Sequence, residues 1–263
     1  MIIDIFIGTV ISLVIAGLAY YKKSLSISGL ITAVIFGAIL YAFGGVVVWI
    51  SLIVFFISSS LLTKLHEKKE KDKDHRGRNY IQVISNALPA AIFSLLFYYQ
   101  ENIIFLLAAV VAIAASNSDT WASEIGILSK GKTRYIVNFK LAPKGISGGI
   151  TYLGTVASLL GAFVIAITFV ISYGFIVGFE WLFLLEALLI LTIGGFAGSI
   201  IDSYLGALIQ AKYKGIKTGI LTEKKFLPNE GVVLASGIAI ITNDMVNLMS
   251  TLLSSVLTVL LLI

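Results

Sequence analysis

The 19 Lys and Arg residues of this 263-residue chain occupy only four short windows, 22–23, 64–78, 130–144 and 212–225. Around them run apolar stretches rich in Leu, Ile and Val. Few folds accept such a partition. A soluble domain carries about 25% charged residues, whereas here charged residues are 13%, hydrophobic residues 58% and mean hydropathy +1.01. Apolar runs of roughly 20 residues fit membrane-spanning helices; a barrel would show short alternating segments. The expectation is an all-α, polytopic transmembrane bundle forming a single integral membrane domain over 1–263.

Basic residues in short loops stay cytoplasmic, so all four windows should share one side, and an even number of spans must separate them. Residues 25–62 fit two helices turning near Gly44-Gly45, residues 81–128 two turning at Gln100-Glu101-Asn102, and residues 146–210 two turning near Tyr173-Gly174. One span precedes the first window, and 231–263 supplies one long or broken helix, or a half-helix plus a span. The total is eight, with both termini outside and basic cytoplasmic loops at about 63–80, 129–145 and 211–230. The N-terminal run lacks an early basic region and a small-residue cleavage site, so it reads as a retained span.

The chain has no cysteine, which removes disulfides, thiolate chemistry and cysteine metal sites. His66 and His75 both lie in a charged loop, where a histidine metal centre is not expected. Most acids sit at outer helix ends (Asp4, Glu101, Glu180, Glu186) or in the basic loops, where Glu223 and Glu230 belong. Asp119, Glu124, Asp202 and Asp244 remain, each close to a cytoplasmic loop. Asp119 lies roughly 16 Å of helix from Lys130, inside the membrane. Ionisable residues there are costly and usually line a cavity, so a polar centre opening to the cytoplasm is expected.

Two of these acids head a weak internal duplication. Ser116-x-x-Asp119-Thr120-Trp121 matches Ser199-x-x-Asp202-Ser203-Tyr204. Both are followed by a Gly/Lys loop, a proline (Pro143; Pro228) and a glycine taken to open the next span (Gly145; Gly231). Parallel repeats around one centre are common in membrane proteins that handle polar substrates. A carboxylate beside Ser or Thr suits Mg²⁺, which takes one or two carboxylates and completes its shell with water and phosphate. Asp119 and Asp202 are therefore the candidate metal ligands. Lys130, Lys132, Arg134, Lys140 and Lys144 offer cations in the first loop, Lys212, Lys214 and Lys217 in the second. Gly145-Ile146-Ser147-Gly148-Gly149-Ile150-Thr151 reads as a glycine-rich helix start whose N–H groups approach phosphate, although its spacing is not that of a Walker A loop. Metal, phosphate cradle and cations are the parts of phosphoryl transfer. Gln82 and Asn86 share one helix face downstream of Arg76, Arg78 and Asn79, and Asn243, Asp244 and Asn247 repeat that i, i+4 pattern. Each feature also has a structural reading: hydrogen bonding by lone acids, topology set by basic loops, close helix packing at glycines, and interfacial anchoring by Trp121 and Tyr204.

At these residues the chain resembles the DUF92/TMEM19 family, whose plant and cyanobacterial members include the phytyl-phosphate kinases of vitamin E synthesis. The resemblance rests on Arg76-Gly77-Arg78-Asn79 through Asn86, on the block Asn117 to Gly126 (NSDTWASEIG), on the glycines of 145–154, on Gly195 to Gly206, and on Thr242 to Asn247. Ser147 stands where that pattern carries Asn. More distantly the chain looks like the CTP-dependent polyprenol kinases. The resemblance implies a membrane kinase that converts a prenyl monophosphate to the diphosphate with a nucleoside triphosphate, CTP rather than ATP, and Mg²⁺.

The implied catalytic set is Asp119, Glu124, Asp202 and Asp244, the last being the candidate base for an alcohol acceptor. Lys132, Arg134 and Lys144 would hold nucleotide phosphates beside Gly145, Ser147, Gly148, Gly149 and Thr151. Arg76 and Arg78 would hold the acceptor phosphate, near Asn79, Gln82 and Asn86. Ser116, Asn117, Thr120, Ser203, Asn243 and Asn247 complete the binding set. Membrane lipids are expected partners and nucleic acid is not. The rival reading is a transporter or flippase of a lipid phosphate, which would need access to both leaflets.

Overall fold

The computed structural model describes residues 1–67, 77–227 and 230–263. Arg76, His75, Pro228 and the lysines of 68–73 lie outside the described residues. Among the described residues, seven helices are long and apolar enough to cross a membrane: α1 (Ile2–Tyr21), α2 (Ile27–Glu67), α3 (Tyr80–Gln100), α4 (Ile103–Gly126), α5 (Tyr152–Ile176), α6 (Trp181–Leu208) and α7 (Asn243–Leu262).

The second helix is really a hairpin. Gly45 sits at φ 76°, ψ 175°, a conformation open to glycine and costly for residues with a Cβ. The arms on either side, 27–44 and 46–67, fold back on each other. Lys64 Nζ donates to the Lys22 carbonyl at 2.6 Å, and Gly37 lies beside Trp49. A straight helix would hold residues 37 and 49 about 18 Å apart. Seven helices thus supply eight membrane-length segments, as the lysine windows require.

One end of the bundle carries every described Lys and Arg. Its segments are tied together: Leu25 bridges Arg78, and Thr63 Oγ1 donates to Glu124 Oε1 at 2.7 Å. The opposite end carries aromatic pairs, Phe43 on Tyr98 and Phe179 on both Phe175 and Trp181, as expected where a helix meets the headgroups. Helix α4 is the axis of the bundle. Residues 106–118 are buried without a break, against α2, α3, α5, α6 and α7. Packing here depends on small residues and hydroxyls, the usual means of helix association in lipid. Ser255 Oγ donates to the Ala108 carbonyl at 2.9 Å, Ser254 Oγ to that of Gly194 at 2.6 Å.

The basic loops hold short strands within an otherwise helical protein. Strand β1 (Arg134–Tyr135) pairs antiparallel with β2 (Gly149–Ile150). Strands β3 (Lys212–Gly215), β4 (Leu221–Thr222) and β5 (Val232–Ser236) form an antiparallel sheet in the order β4-β3-β5.

Two sequence expectations are corrected here. Gly145 and Gly231 open no helix: α5 starts at Tyr152 behind the N-cap Thr151, and α7 at Asn243 behind the N-cap Thr242. The segment 231–263 is neither one long helix nor a half-helix plus a span, because residues 232–236 pair with β3. The stretch is Val-Val-Leu-rich and stops at Gly237, whose φ is +80°. Beside an unpaired strand edge, such a stretch satisfies its backbone by sheet pairing.

Candidate active site

Asp119 on α4 and Asp202 on α6 each sit about two turns before the end of their helix. Each helix is followed by a strand-bearing loop and a Thr-capped helix, so the duplication seen in the sequence is also a duplication of structure. Both carboxylates line one cavity of about 320 Å³. Its other wall is the glycine loop, Gly145 to Thr151, with Lys144 at the rim, and Glu124, Ser199, Ser203 and Asn243 also face it. Lys144 Nζ rests on the Ser129 carbonyl at 3.0 Å.

The two acids differ in support. Asp202 is buried, and its Oδ2 accepts from Ser250 Oγ at 2.9 Å. The Asn247 amide, oriented by its own neighbours, places its nitrogen 3.0 Å from the same oxygen. Asp119 makes no hydrogen bond or ion pair with any described residue. An acid inside a membrane bundle usually lines a polar cavity, and Asp119 does so.

The glycine loop is shaped by contact with α6. Gly148 has φ +80°, and a Cβ there would lie 2.5 Å from the Ala207 Cβ and 2.6 Å from its Cα. Ser147 packs on Gly206, and its Oγ donates to Gln210 Oε1 at 2.9 Å. Glu223, assigned from sequence to the solvated loop, instead enters this cavity and accepts the Ser147 N–H at 2.6 Å. Burial pushes the Glu223 carboxyl above its usual range, against the pull of the Ser147 N–H, Gln210 and Lys212. Lys212 is itself buried, with its ammonium over the Tyr135 ring; burial lowers its pKa and Glu223 raises it. Nothing local in the sequence singles out Glu223 or Gln210, nor Lys212 from the other second-loop cations Lys214 and Lys217, because β3, β4 and the glycine loop meet only in three dimensions.

A second chamber, of about 420 Å³, adjoins the first. Asp119, Ser123, Glu124 and Asn243 line both. Its cations are Lys23, Lys64 and Arg78, and Gln82, Asn86, Thr120, Asp244 and Asn247 also face it. Ser60 Oγ lines it too, buried without a hydrogen-bond partner. The Arg78 guanidinium lies between the rings of Phe55 and Phe56, 5.8 and 5.9 Å from their centroids, and donates to Ser59 Oγ at 3.0 Å. Burial lowers the Arg78 pKa and nearby Glu124 raises it; guanidinium stays charged regardless. Lys23 and Lys64 carried only a topological signal in the sequence.

Other candidates lie elsewhere. Ser116 Oγ bonds the Asn86 carbonyl, and Asn117 joins the Gly161 carbonyl to Ser58, so both serve helix packing. Asn79 caps α3 in a reciprocal pair with Gln82. Lys132 and Arg134 line neither chamber; Arg134 Nη1 turns to the Phe139 carbonyl at 2.7 Å. Trp121 packs on Gly161 inside the bundle.

Mg²⁺ suits the donor set of the first chamber. Asp119 has no partner among the described residues, and Asp202 Oδ1 accepts from none of them. No group of three or more acids or histidines forms a metal cage among the described residues. Asp119 and Asp202 are the two carboxylates that would hold such an ion, whose other positions water and phosphate would fill.

Fold and site together define a polytopic helical membrane protein with a two-chambered polar centre at its basic end. A family model described as integral membrane protein DUF92 matches residues 10–255, and the chain belongs to that family. It is 36% identical over 213 residues to an uncharacterized membrane protein of Methanocaldococcus jannaschii, spanning 80% of this chain and 85% of that one. It is 32% identical over 274 residues to Protein PGR of Arabidopsis thaliana, spanning 95% and 93% of the two chains. Similarity to the chloroplastic Protein VTE6 of the same plant is 30% over 155 residues, 54% of this chain and 46% of that one. No solved structure matches.

Proposed function

We propose that this protein is a prenyl-phosphate kinase of the membrane, transferring a phosphoryl group from a nucleoside triphosphate, CTP in preference to ATP, to a prenyl monophosphate. The observation that carries this reading is the pair of cation-bearing chambers sharing a wall at Asp119, Glu124 and Asn243. Transfer between two phosphates needs two anion sites that meet at an acidic, metal-binding partition.

In this reading the glycine loop and Lys144 take the nucleotide phosphates, and Arg78, Lys64 and Lys23 take the acceptor phosphate. Asp119 and Asp202 would hold Mg²⁺, which supplies charge neutralisation at the transferring group. Ser250 and Asn247 fix the Asp202 carboxylate. An acceptor oxygen forms a bond to the γ-phosphorus while the bond to the β,γ-bridging oxygen breaks, and the nucleoside diphosphate leaves. A phosphate oxygen is already anionic near pH 7, so positioning suffices and no strong base is required; Asp244 stands in the acceptor chamber for an alcohol. The basic end faces the cytoplasm, where nucleotides are available.

A flippase for the same lipid would need a polar path to the other end of the bundle. The buried apolar stretch of α4 from Leu106 to Ala115 favours the kinase. The deciding test incubates purified protein with Mg²⁺, prenyl monophosphates and each triphosphate. Diphosphate product, with Mg²⁺-dependent thermal protection by the triphosphate, is expected. Protection by prenyl phosphate alone, with no product, would replace the kinase by a lipid carrier.

A further inference from the structure

The Arg78 chamber has an apolar continuation. A narrow cleft of about 70 Å³ runs from Arg78, Gln82 and Asn86 into the membrane between α1, α3 and the two arms of α2. It meets the chamber at Phe55, Arg78, Gln82 and Asn86, which line both. Beyond these its walls include Ala16, Ala33, Phe56 and Val83. The far end is closed where Trp49 Nε1 donates to Ser12 Oγ at 3.0 Å, beside Gly37.

We infer that this cleft seats the hydrocarbon tail of a single-chain prenyl phosphate and measures its first isoprene units, with Arg78 at the mouth holding the phosphate. The inference deepens the kinase reading and rests on it for the headgroup. Three observations carry it. Arg78 is half-buried among phenylalanines with no carboxylate at ion-pair distance among the described residues, so it suits an anion that arrives attached to an apolar group. Beyond its mouth the cleft is lined almost wholly by apolar side chains, which suits hydrocarbon. Leu25, which bridges Arg78, and Gly37 both line the cleft, so it follows the first arm of α2 from Ile27 to Gly37 for about 15 Å of helix, in the direction an extended tail would take from the phosphate.

The glycine-loop chamber cannot take the tail on the same grounds. Asp119, Asp202, Glu124 and Glu223 face it beside the hydroxyls of Ser147, Thr151 and Ser199, and an apolar chain gains little from contact with such groups.

The test compares dimethylallyl and farnesyl monophosphates as acceptors for the wild type and for Ala33→Phe, which fills the cleft midway. The ratio of kcat/KM for farnesyl over dimethylallyl phosphate should fall at least tenfold in the variant. An unchanged ratio would overturn the cleft as the tail site. Should Ala33→Phe fail to insert, a farnesyl monophosphate carrying a terminal diazirine is photolysed on the wild-type protein and the labelled peptides are mapped. Labels on α1 or on the arms of α2 near Ser12, Ala16 and Gly37 support the cleft; labels confined to α5, α6 or α7 overturn it. If no prenyl phosphate is turned over while the label still enters the cleft, the kinase reading fails and the tail site stands.

Discussion

Asp119→Asn and Asp202→Asn remove the same charge from one cavity but should separate stability from function in opposite ways. Asp202 accepts two hydrogen bonds, from Ser250 and Asn247. A hydrogen bond to a charged group contributes about 1.5–3 kcal/mol and a neutral one about 0.5–1.5 kcal/mol. Neutralising Asp202 thus costs about 2 kcal/mol, nearer 1 kcal/mol if the weaker interhelical bonds measured in membranes are the better guide. For a chain of this size that lowers Tm by roughly 2–8 °C. Asp119 lines both chambers and bonds to no described residue, so it has no such bond to lose, and a carboxylate set in a bundle without partners costs free energy. Asp119→Asn should therefore leave the Tm of the ligand-free protein unchanged or higher. Both variants should lose turnover by on the order of a thousandfold, since a bound metal supplies several kcal/mol of charge stabilisation in the transition state. The assay is thermal unfolding in detergent, read by tryptophan fluorescence with and without Mg²⁺ and triphosphate, beside turnover. Asp119→Asn destabilising more than Asp202→Asn, or either variant working within a few-fold of wild type, would refute the reasoning.

Three further outcomes are expected. Because the chain has no cysteine, single cysteines at Lys132 and Lys217 should be labelled from one side of the membrane only and one at Glu101 only from the other; labelling of Lys132 and Glu101 from the same side would break the topology. Gly148→Ala and Gly45→Ala both add backbone strain of about 1–3 kcal/mol at a positive φ, but only the first also drives a Cβ into Ala207, the second meeting nothing within 4 Å; equal Tm losses in the two would remove the clash argument. Glu223 has its carboxyl raised above the ordinary 4.5 by burial, so the native state binds more protons than the unfolded chain between 4.5 and the raised value. Stability falls as pH rises through that window. Glu223→Gln should flatten the decline of Tm from pH 4.5 towards neutrality, and an identical slope would show that Glu223 does not cause it. Lys212 acts at the other end of the scale: burial lowers its pKa below 10.5, so its contribution rises with pH from the lowered value up to 10.5.

The lysine windows determined the helical segments and the common end of the basic loops, whereas the turn expected near Tyr173-Gly174 falls later, at residues 177–180 between α5 and α6. A charged side chain in hydrocarbon is so costly that its position in sequence becomes a position in space. The same cost exposed Asp119, Asp202 and Asp244, the acids with no excuse for lying inside a span. The glycine loop was legible as a neighbour of the acids but not as a strand and turn ahead of the helix, since Gly148 owes its backbone to Ala207 on a distant helix. Likewise, residues 232–236 became a strand only because β3 offered an edge. Which cations face the centre was legible only in part: Arg78 and Lys144, named from the sequence, line the chambers, but Arg134 turned to its own loop and Lys23 and Lys64 joined from separate segments. Burial and period are written along one chain, whereas a site is made where several segments meet, and their side chains carry no record of one another.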